Sequence, residues 1–298
     1  MRRRVRTRLD PAAEFLTPRA GPRHFDIYDL RASLAKAASQ LIERAGIEYP
    51  PVRVQDLERM AALQGVKKIS TMNINSEGLL FPVAGGFLAQ LDQSQYHIRL
   101  RTSLAHEIGH TFFYEQGGAR PRVGFSRSKA RREVEEGLAW EIARGLLVPS
   151  KILKPMLEAD TSWPPSIRSF IDLKDAFCVS HDILARRLQD LATLDSQYEW
   201  NGVIYSIDPT AKKNPITAWK FGRFGSLKAY SRTMSRNKKL LETAVGLRSG
   251  GIKETRIVVT GGQFGSIPPG KYAIGSAQVG SRQLMILVNS SVRGLSNQ

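Results

Sequence analysis

The stretch "SLAHEIGHTFFYE", residues 103–115, constrains this chain more than any other. It lies in an apolar-periodic run (Leu104, Ala105, Ile108, Phe112), so it reads as a helix that packs against a core. On a helix, His106 and His110 stand four residues apart and share one face. Two imidazoles so placed can reach a single ion, and neutral imidazole is a good zinc ligand. Glu107 lies about a hundred degrees round the helix, beside such an ion rather than on it. There it can take a proton from water, which is the metal-dependent hydrolase reading of H-E-x-x-H. Gly109, inside the same helix, costs about 1 kcal/mol relative to alanine. A close approach by another backbone or by a substrate would explain it.

Two histidines do not complete a catalytic zinc site, which needs a third protein ligand and an open position. The extended motif with a third histidine fails, because Phe113 and Gln116 occupy its glycine and histidine positions. A glutamate on a later helix is the alternative. The segment "REVEEGLAWEIARGLLVP" offers Glu133, Glu135, Glu136 and Glu141. Periodicity does not choose between Glu135 and Glu136, since one apolar stripe (Leu138, Ile142, Leu146) follows the first and another (Ala139, Ala143, Leu147) the second.

The rest of the chain suggests an α+β protein in four parts. Residues 1–27 form an Arg- and Pro-rich arm without sustained period. Residues 28–160 read as a mainly helical domain with a small sheet. Helices are expected over residues 28–45, ended by Gly46, and in "VQDLERMAALQG", closed by Gly65. The short pieces "VKKIST", "GLLFPV", "GGFLAQL" and "YHIRL" read as strands, with the histidine-bearing helix starting at Arg101. Further helices are expected in "EVEEGLAWEIARGLLV" and "KILKPMLEA". Residues 161–198 carry two more, "IRSFIDLKDAF" and "HDILARRLQDLATL", a helix-turn-helix-like segment whose second helix is entered through Ser180 as N-cap. Residues 199–298 read as a ββαβββ domain with an antiparallel sheet and one helix, "SLKAYSRTMSRNKKLLETAVG".

Charge separates these parts. The net charge is +17, and residues 200–298 hold 15 Lys/Arg against 3 Asp/Glu. A surface this basic draws a polyanion or an acidic partner, or is simply well solvated. The single cysteine, Cys178, excludes internal disulfides and a cysteine-built zinc site. No apolar run is long enough for a membrane span, and the basic start has no apolar segment behind it. These features point to the cytoplasm and away from a membrane.

Three pieces together resemble the ImmA/IrrE family of bacterial zinc metallopeptidases. "RTSLAHEIGH" is similar to the family's arginine-led run into H-E-[LI]-[GS]-H. "EGLAWEIARGLLVP" is similar to E-x-x-A-N-x-F-A-x-x-L-L-M-P, and "FCVSHDILARRLQDL" to V-S-x-x-A-L-x-x-R-L. The likeness covers roughly residues 50 to 195. It implies a zincin-like peptidase domain with a gluzincin-like ligand set, in which Glu136 joins His106 and His110 as metal ligand. The chain departs from the family pattern at Trp140, which stands where asparagine is usual. The short segment "YHIRLRTSLAHE" suggests a differently shaped groove.

The resemblance implies a zinc-dependent, site-specific endopeptidase, with manganese as the other candidate ion. Its substrate would be a helix-turn-helix transcriptional repressor, whose cleavage induces a stress or mobile-element response. It also implies a GAF-like sensor in the C-terminal domain. Glu107 is the expected general base. Tyr114 and His181 are candidates to stabilise the oxyanion, against ordinary roles as a core tyrosine and a surface histidine. Arg122, Arg127 and Arg131, between the two metal-bearing helices, are candidates for contact with an acidic stretch of substrate. The alternative is a non-catalytic regulator that binds a protein partner or DNA through its basic C-terminal domain.

Overall fold

The computed structural model describes residues 27–114, 129–159, 167–194, 202–207, 216–224, 253–259, 270–279 and 282–289. It is a mixed α/β structure that divides into two compact units, Met1–Leu153 and Lys154–Gln298.

The first unit opens with α1 (Ile27–Arg44) and α2 (Val54–Leu63). The apolar stripe of α1, Leu30, Leu34, Ala37, Ala38, Leu41 and Ile42, is buried throughout. Gly46 and Gly65 follow these helices with φ of 68° and 86°. Three strands come next: β1 (Val66–Met72), β2 (Gly78–Val83) and β3 (Gly86–Asp92). Their order is β1-β3-β2, with β1 parallel and β2 antiparallel to the central β3. The central strand buries Phe87, Ala89 and Leu91 on one face, the alternation of a sheet packed on helices. β2 is an edge of this sheet.

The segment "YHIRL" is not a strand. It forms the start of α3 (His97–Thr111), which therefore begins four residues before Arg101 and takes His97 with it. Five residues with apolar side chains at alternate positions fit either period. No side-chain hydrogen bond caps this helix start; a turn and backbone bonding mark it. Asp92 accepts hydrogen bonds from the backbone and hydroxyl of Ser94 in a turn after β3, Tyr96 is extended, and the Leu100 amide already reaches the Tyr96 carbonyl at 3.0 Å. Arg101 is buried and donates from Nη2 to the Val52 carbonyl at 2.6 Å, which ties α3 to the chain just before α2.

Helix α4 (Lys129–Leu147) starts four residues before the expected Glu133. Both of its apolar stripes are buried: Leu138, Ile142 and Leu146, and Ala139, Ala143 and Leu147. It packs on α1 and on α3. A part-buried ion pair joins it to α1, with Arg31 donating to Glu141 Oε1 from Nε at 3.0 Å and from Nη2 at 2.8 Å. Helix α5 (Ser150–Ala159) carries Pro155 in its interior and spans the division between the units.

The second unit contains α6 (Ile167–Phe177) and α7 (His181–Leu194), which match the expected limits. The Ile183 amide donates to the Ser180 hydroxyl at 3.2 Å, so Ser180 does cap α7. Five strands follow: β4 (Gly202–Ile207), β5 (Ile216–Phe224), β6 (Lys253–Val259), β7 (Gly270–Val279) and β8 (Arg282–Asn289). They form one wholly antiparallel sheet in the order β5-β4-β8-β7-β6. Of the expected arm 1–27, Ile27 already belongs to α1, and its other residues, like the expected helix at 226–246, lie outside the described residues. No helix among the described residues is long and apolar enough to cross a membrane.

Candidate metal centre

The centre sits where α3 crosses α4. The crossing is close because Gly109 has no side chain: a Cβ there would lie 2.5 Å from the Ala139 carbonyl oxygen and 3.1 Å from its Cα. The cost of a glycine in mid-helix is thus matched by contact between two backbones. Beside this contact, His106 and His110 of one helix and Glu136 and Trp140 of the other line a common cleft.

Into it project His106 and His110 from α3 and Glu136 from α4. The two Nε2 atoms are 3.1 Å apart. Glu136 places Oε1 3.0 Å from His106 Nε2 and Oε2 3.3 Å from His110 Nε2. Donors at about 2.0–2.1 Å from a tetrahedral ion are separated by roughly 3.3 Å along each edge. The two Nε2 atoms are near that spacing, each faces a different oxygen of Glu136, and one donor atom from each of the three residues lies within 4.8 Å of the others, so the three side chains could hold a metal ion. Two imidazoles and one carboxylate suit zinc better than a hard ion that favours all-oxygen ligands.

The four candidate glutamates have separate fates. Glu136 faces both Nε2 atoms. Glu135, a hundred degrees round the helix, reaches the far side of His110, with Oε1 3.2 Å from Nδ1. Glu141 is engaged by Arg31. Glu133 is exposed and belongs to neither the cleft nor the ligand cluster.

Charge in the cluster is strongly coupled. Burial pushes His106 down, opposed by its bond to Glu136. Burial also acts on His110, but the Glu135 and Glu136 carboxylates together outweigh it and carry that ring up to about 9. Bonds from both histidines hold Glu136 well below the usual carboxylate range.

Glu107 is 5% exposed, and burial pushes its carboxyl up to about 7; Glu136 adds to the rise and His110 opposes it. It is closed in by β2, for a Cβ on Gly78 would fall 2.6 Å from Glu107 Oε1. The surrounding cleft measures about 570 Å³. His106, Glu107, His110, Glu135 and Glu136 line it together with Ser76 to Leu80 of the β2 region, Ser103, Tyr114 and Trp140. Trp140 lies against His106, the ring centroids 4.2 Å apart and the planes 28° from parallel, and its indole N–H donates to Glu136 Oε1 at 3.2 Å.

Tyr114 lines the cleft, packs edge-on against Phe87 with centroids 5.3 Å apart, and has its hydroxyl pushed up by burial and by Glu135. His181 is not among the cleft residues. It is a buried member of the second unit, stacked on Phe170 at 6.1 Å, and burial, reinforced by Lys174, drives it down to about 4. Arg122 and Arg127 lie outside the described residues, and Arg131 falls in the first turn of α4. Sequence reasoning gave no role to Trp140 or Gly78, and held Glu135 only as an alternative to Glu136 for the third ligand. The first stood out only as a departure from a family pattern, and Gly78 carried no signal.

No protein-family model matches the chain, and no curated protein sequence matches it. Among solved structures, that of a Mycobacterium tuberculosis transcriptional regulator is similar, with a TM-score of 0.54 at 14% identity over 94% of this chain and 81% of that one. At that identity the likeness speaks to the fold alone.

Proposed function

We propose that this chain is a zinc-dependent, site-specific endopeptidase of the ImmA/IrrE type, and that its substrate is a helix-turn-helix transcriptional repressor. One observation carries the reading: a buried carboxylate, Glu107, opens onto the same cleft as a His-His-Glu group whose donor atoms lie within 4.8 Å of one another. A site that only held metal for structure would not require that carboxylate, and burying it is costly.

When bound, the ion supplies a Lewis acid that acidifies water and polarises a carbonyl. His106, His110 and Glu136 would hold the ion, and all three line the cleft that water and substrate would enter. Glu107, shielded by β2, accepts the proton of the attacking water and returns it to the leaving amine. The Tyr114 hydroxyl, on the same cleft wall, is the candidate donor to the developing oxyanion. The apolar lining from Leu79, Leu80 and Trp140 suits an uncharged side chain beside the scissile bond.

The test is a comparison of new protein N-termini in cells carrying the wild type or Glu107→Gln. The wild type should generate a cut in a repressor that the variant does not, while both purified proteins carry equal metal. No Glu107-dependent cut in any protein would remove the peptidase reading.

The second reading is a non-catalytic regulator. Its support is the structural likeness to a transcriptional regulator and the +12 charge of residues 200–298. It predicts that Glu107→Gln keeps the full cellular effect, and that DNA affinity falls steeply with salt. A GAF-like sensor role for the C-terminal unit rests on the family resemblance, with which a five-stranded antiparallel sheet is compatible.

A further inference from the structure

We infer that Glu135 and Trp140 are positioning residues of the metal centre, which set ion affinity by holding His110 and Glu136 ready without touching the ion. The inference rests on the reading of His106, His110 and Glu136 as ligands. All three of Glu135, Glu136 and Trp140 come from little more than one turn of α4. Glu136 enters between the two Nε2 atoms. Its neighbour Glu135 is thereby turned to the Nδ1 side of His110, at 3.2 Å.

A carboxylate only accepts, so the Glu135 contact calls for a proton on Nδ1, which leaves Nε2 as the nitrogen that turns a lone pair to an ion when one is bound. Second partners of this kind commonly fix the ligating tautomer of a metal-bound histidine. Among the described residues His106 has no such partner. Its Nδ1 is buried without a hydrogen bond, and what it has instead is the Trp140 ring stacked 4.2 Å away.

Trp140 also holds the carboxylate. It is four residues beyond Glu136, on the same helix face. Its N–H, a donor with no acceptor capacity, bonds Oε1 at 3.2 Å. The Glu136 side chain is 53% exposed, so this bond adds to the two histidine contacts in restricting its three side-chain torsions. One indole therefore fixes a ligand on its edge and a second ligand on its face. Asparagine, usual at this position in the family the chain resembles, could supply a donor but no ring.

The test is metal affinity, measured by competing Zn²⁺ against a chromophoric chelator and by the visible absorption of the Co²⁺-loaded protein. Glu135→Ala should weaken Zn²⁺ binding roughly 10- to 100-fold, the range for such second partners. Glu135→Gln keeps an accepting oxygen and should restore most of the loss. Trp140→Phe keeps a ring and removes the donor; Trp140→Gln does the reverse. Each should weaken binding, Trp140→Ala more than either, and each should shift the Co²⁺ spectrum. Urea midpoints separate a local effect from unfolding, and Glu135→Gln and Trp140→Phe are the mildest variants on that count. If the wild type binds Zn²⁺ and all variants bind it equally with the same Co²⁺ spectrum, this inference is overturned and the metal reading stands. If the wild type and His106→Ala both fail to bind, both fall.

Discussion

Replacing Gly109 by alanine tests the crossing on which the centre depends. The new Cβ would sit 2.5 Å from the Ala139 carbonyl oxygen. Ordinary contact needs roughly 3.2–3.4 Å, so the two backbones must part by about 0.7–0.9 Å. The obstacle is main chain, which cannot rotate aside as a side chain can. Overpacking of this kind costs about 1–3 kcal/mol, and alanine's better helix propensity returns about 1 kcal/mol. The expected net loss is therefore about 0–2 kcal/mol in global stability. The effect on metal should be larger in proportion. Donor distances are tolerated only within about 0.2 Å, and the displaced helix carries Glu136. Zinc affinity should fall by at least roughly 10-fold, comparable with loss of a supporting residue. The internal control is Gly145→Ala on α4, where a Cβ meets nothing within 4 Å among the described residues; it should stabilise by about 0.5–1 kcal/mol. Urea unfolding and chelator competition on the three proteins give both quantities. Wild-type zinc affinity in Gly109→Ala, or equal destabilisation by the two alanines, would refute the reasoning.

Three further outcomes follow from the described geometry. Gly78→Ala pushes against Glu107 Oε1 while leaving the ligands in place, so cleavage should slow by roughly 10- to 100-fold with metal content unchanged; joint loss of metal and cleavage would contradict it. His181 is held near 4 in the folded protein against 6.5 when free, so the unfolded chain binds the extra proton. Its contribution is complete above about pH 6.5 and is lost as pH falls toward 4, at up to about 1.4 kcal/mol per pH unit; the wild type should lose stability faster than His181→Phe over that window, and parallel curves would be inconsistent with a buried neutral ring. The Arg31–Glu141 pair is partly buried, and a double-mutant cycle should give a coupling of about 0.5–1 kcal/mol; zero coupling would mean that α1 and α4 are held by their apolar contact alone.

The legible parts of this chain are those governed by short-range rules. The stripe of α1, the limits of α6 and α7 and the five C-terminal strands follow from period and capping, and all appear in the structure. The segment at Tyr96 failed because five residues do not distinguish a period of two from the start of a helix. The ambiguity between Glu135 and Glu136 had a structural cause. Helix α4 is buried on two sides, so both apolar stripes are real and neither marks the functional face. The resemblance chose Glu136, and the geometry gives Glu135 a different place on the same histidine. Gly78 could not be read at all, because its reason is a contact with a helix almost thirty residues further on. Gly109 could be read as an anomaly, but the partner that explains it, Ala139, is visible only in three dimensions.

The meeting of α3 and α4 has a mechanical meaning beyond the site. An ion gripped by side chains from both helices is a cross-link, and it closes the intervening chain into a loop. Such a clip secures the native arrangement alone, since the site does not exist in the unfolded chain. Affinity for the ion and resistance to unfolding then become one quantity seen through two instruments, and starvation for metal would be felt by this protein first as fragility.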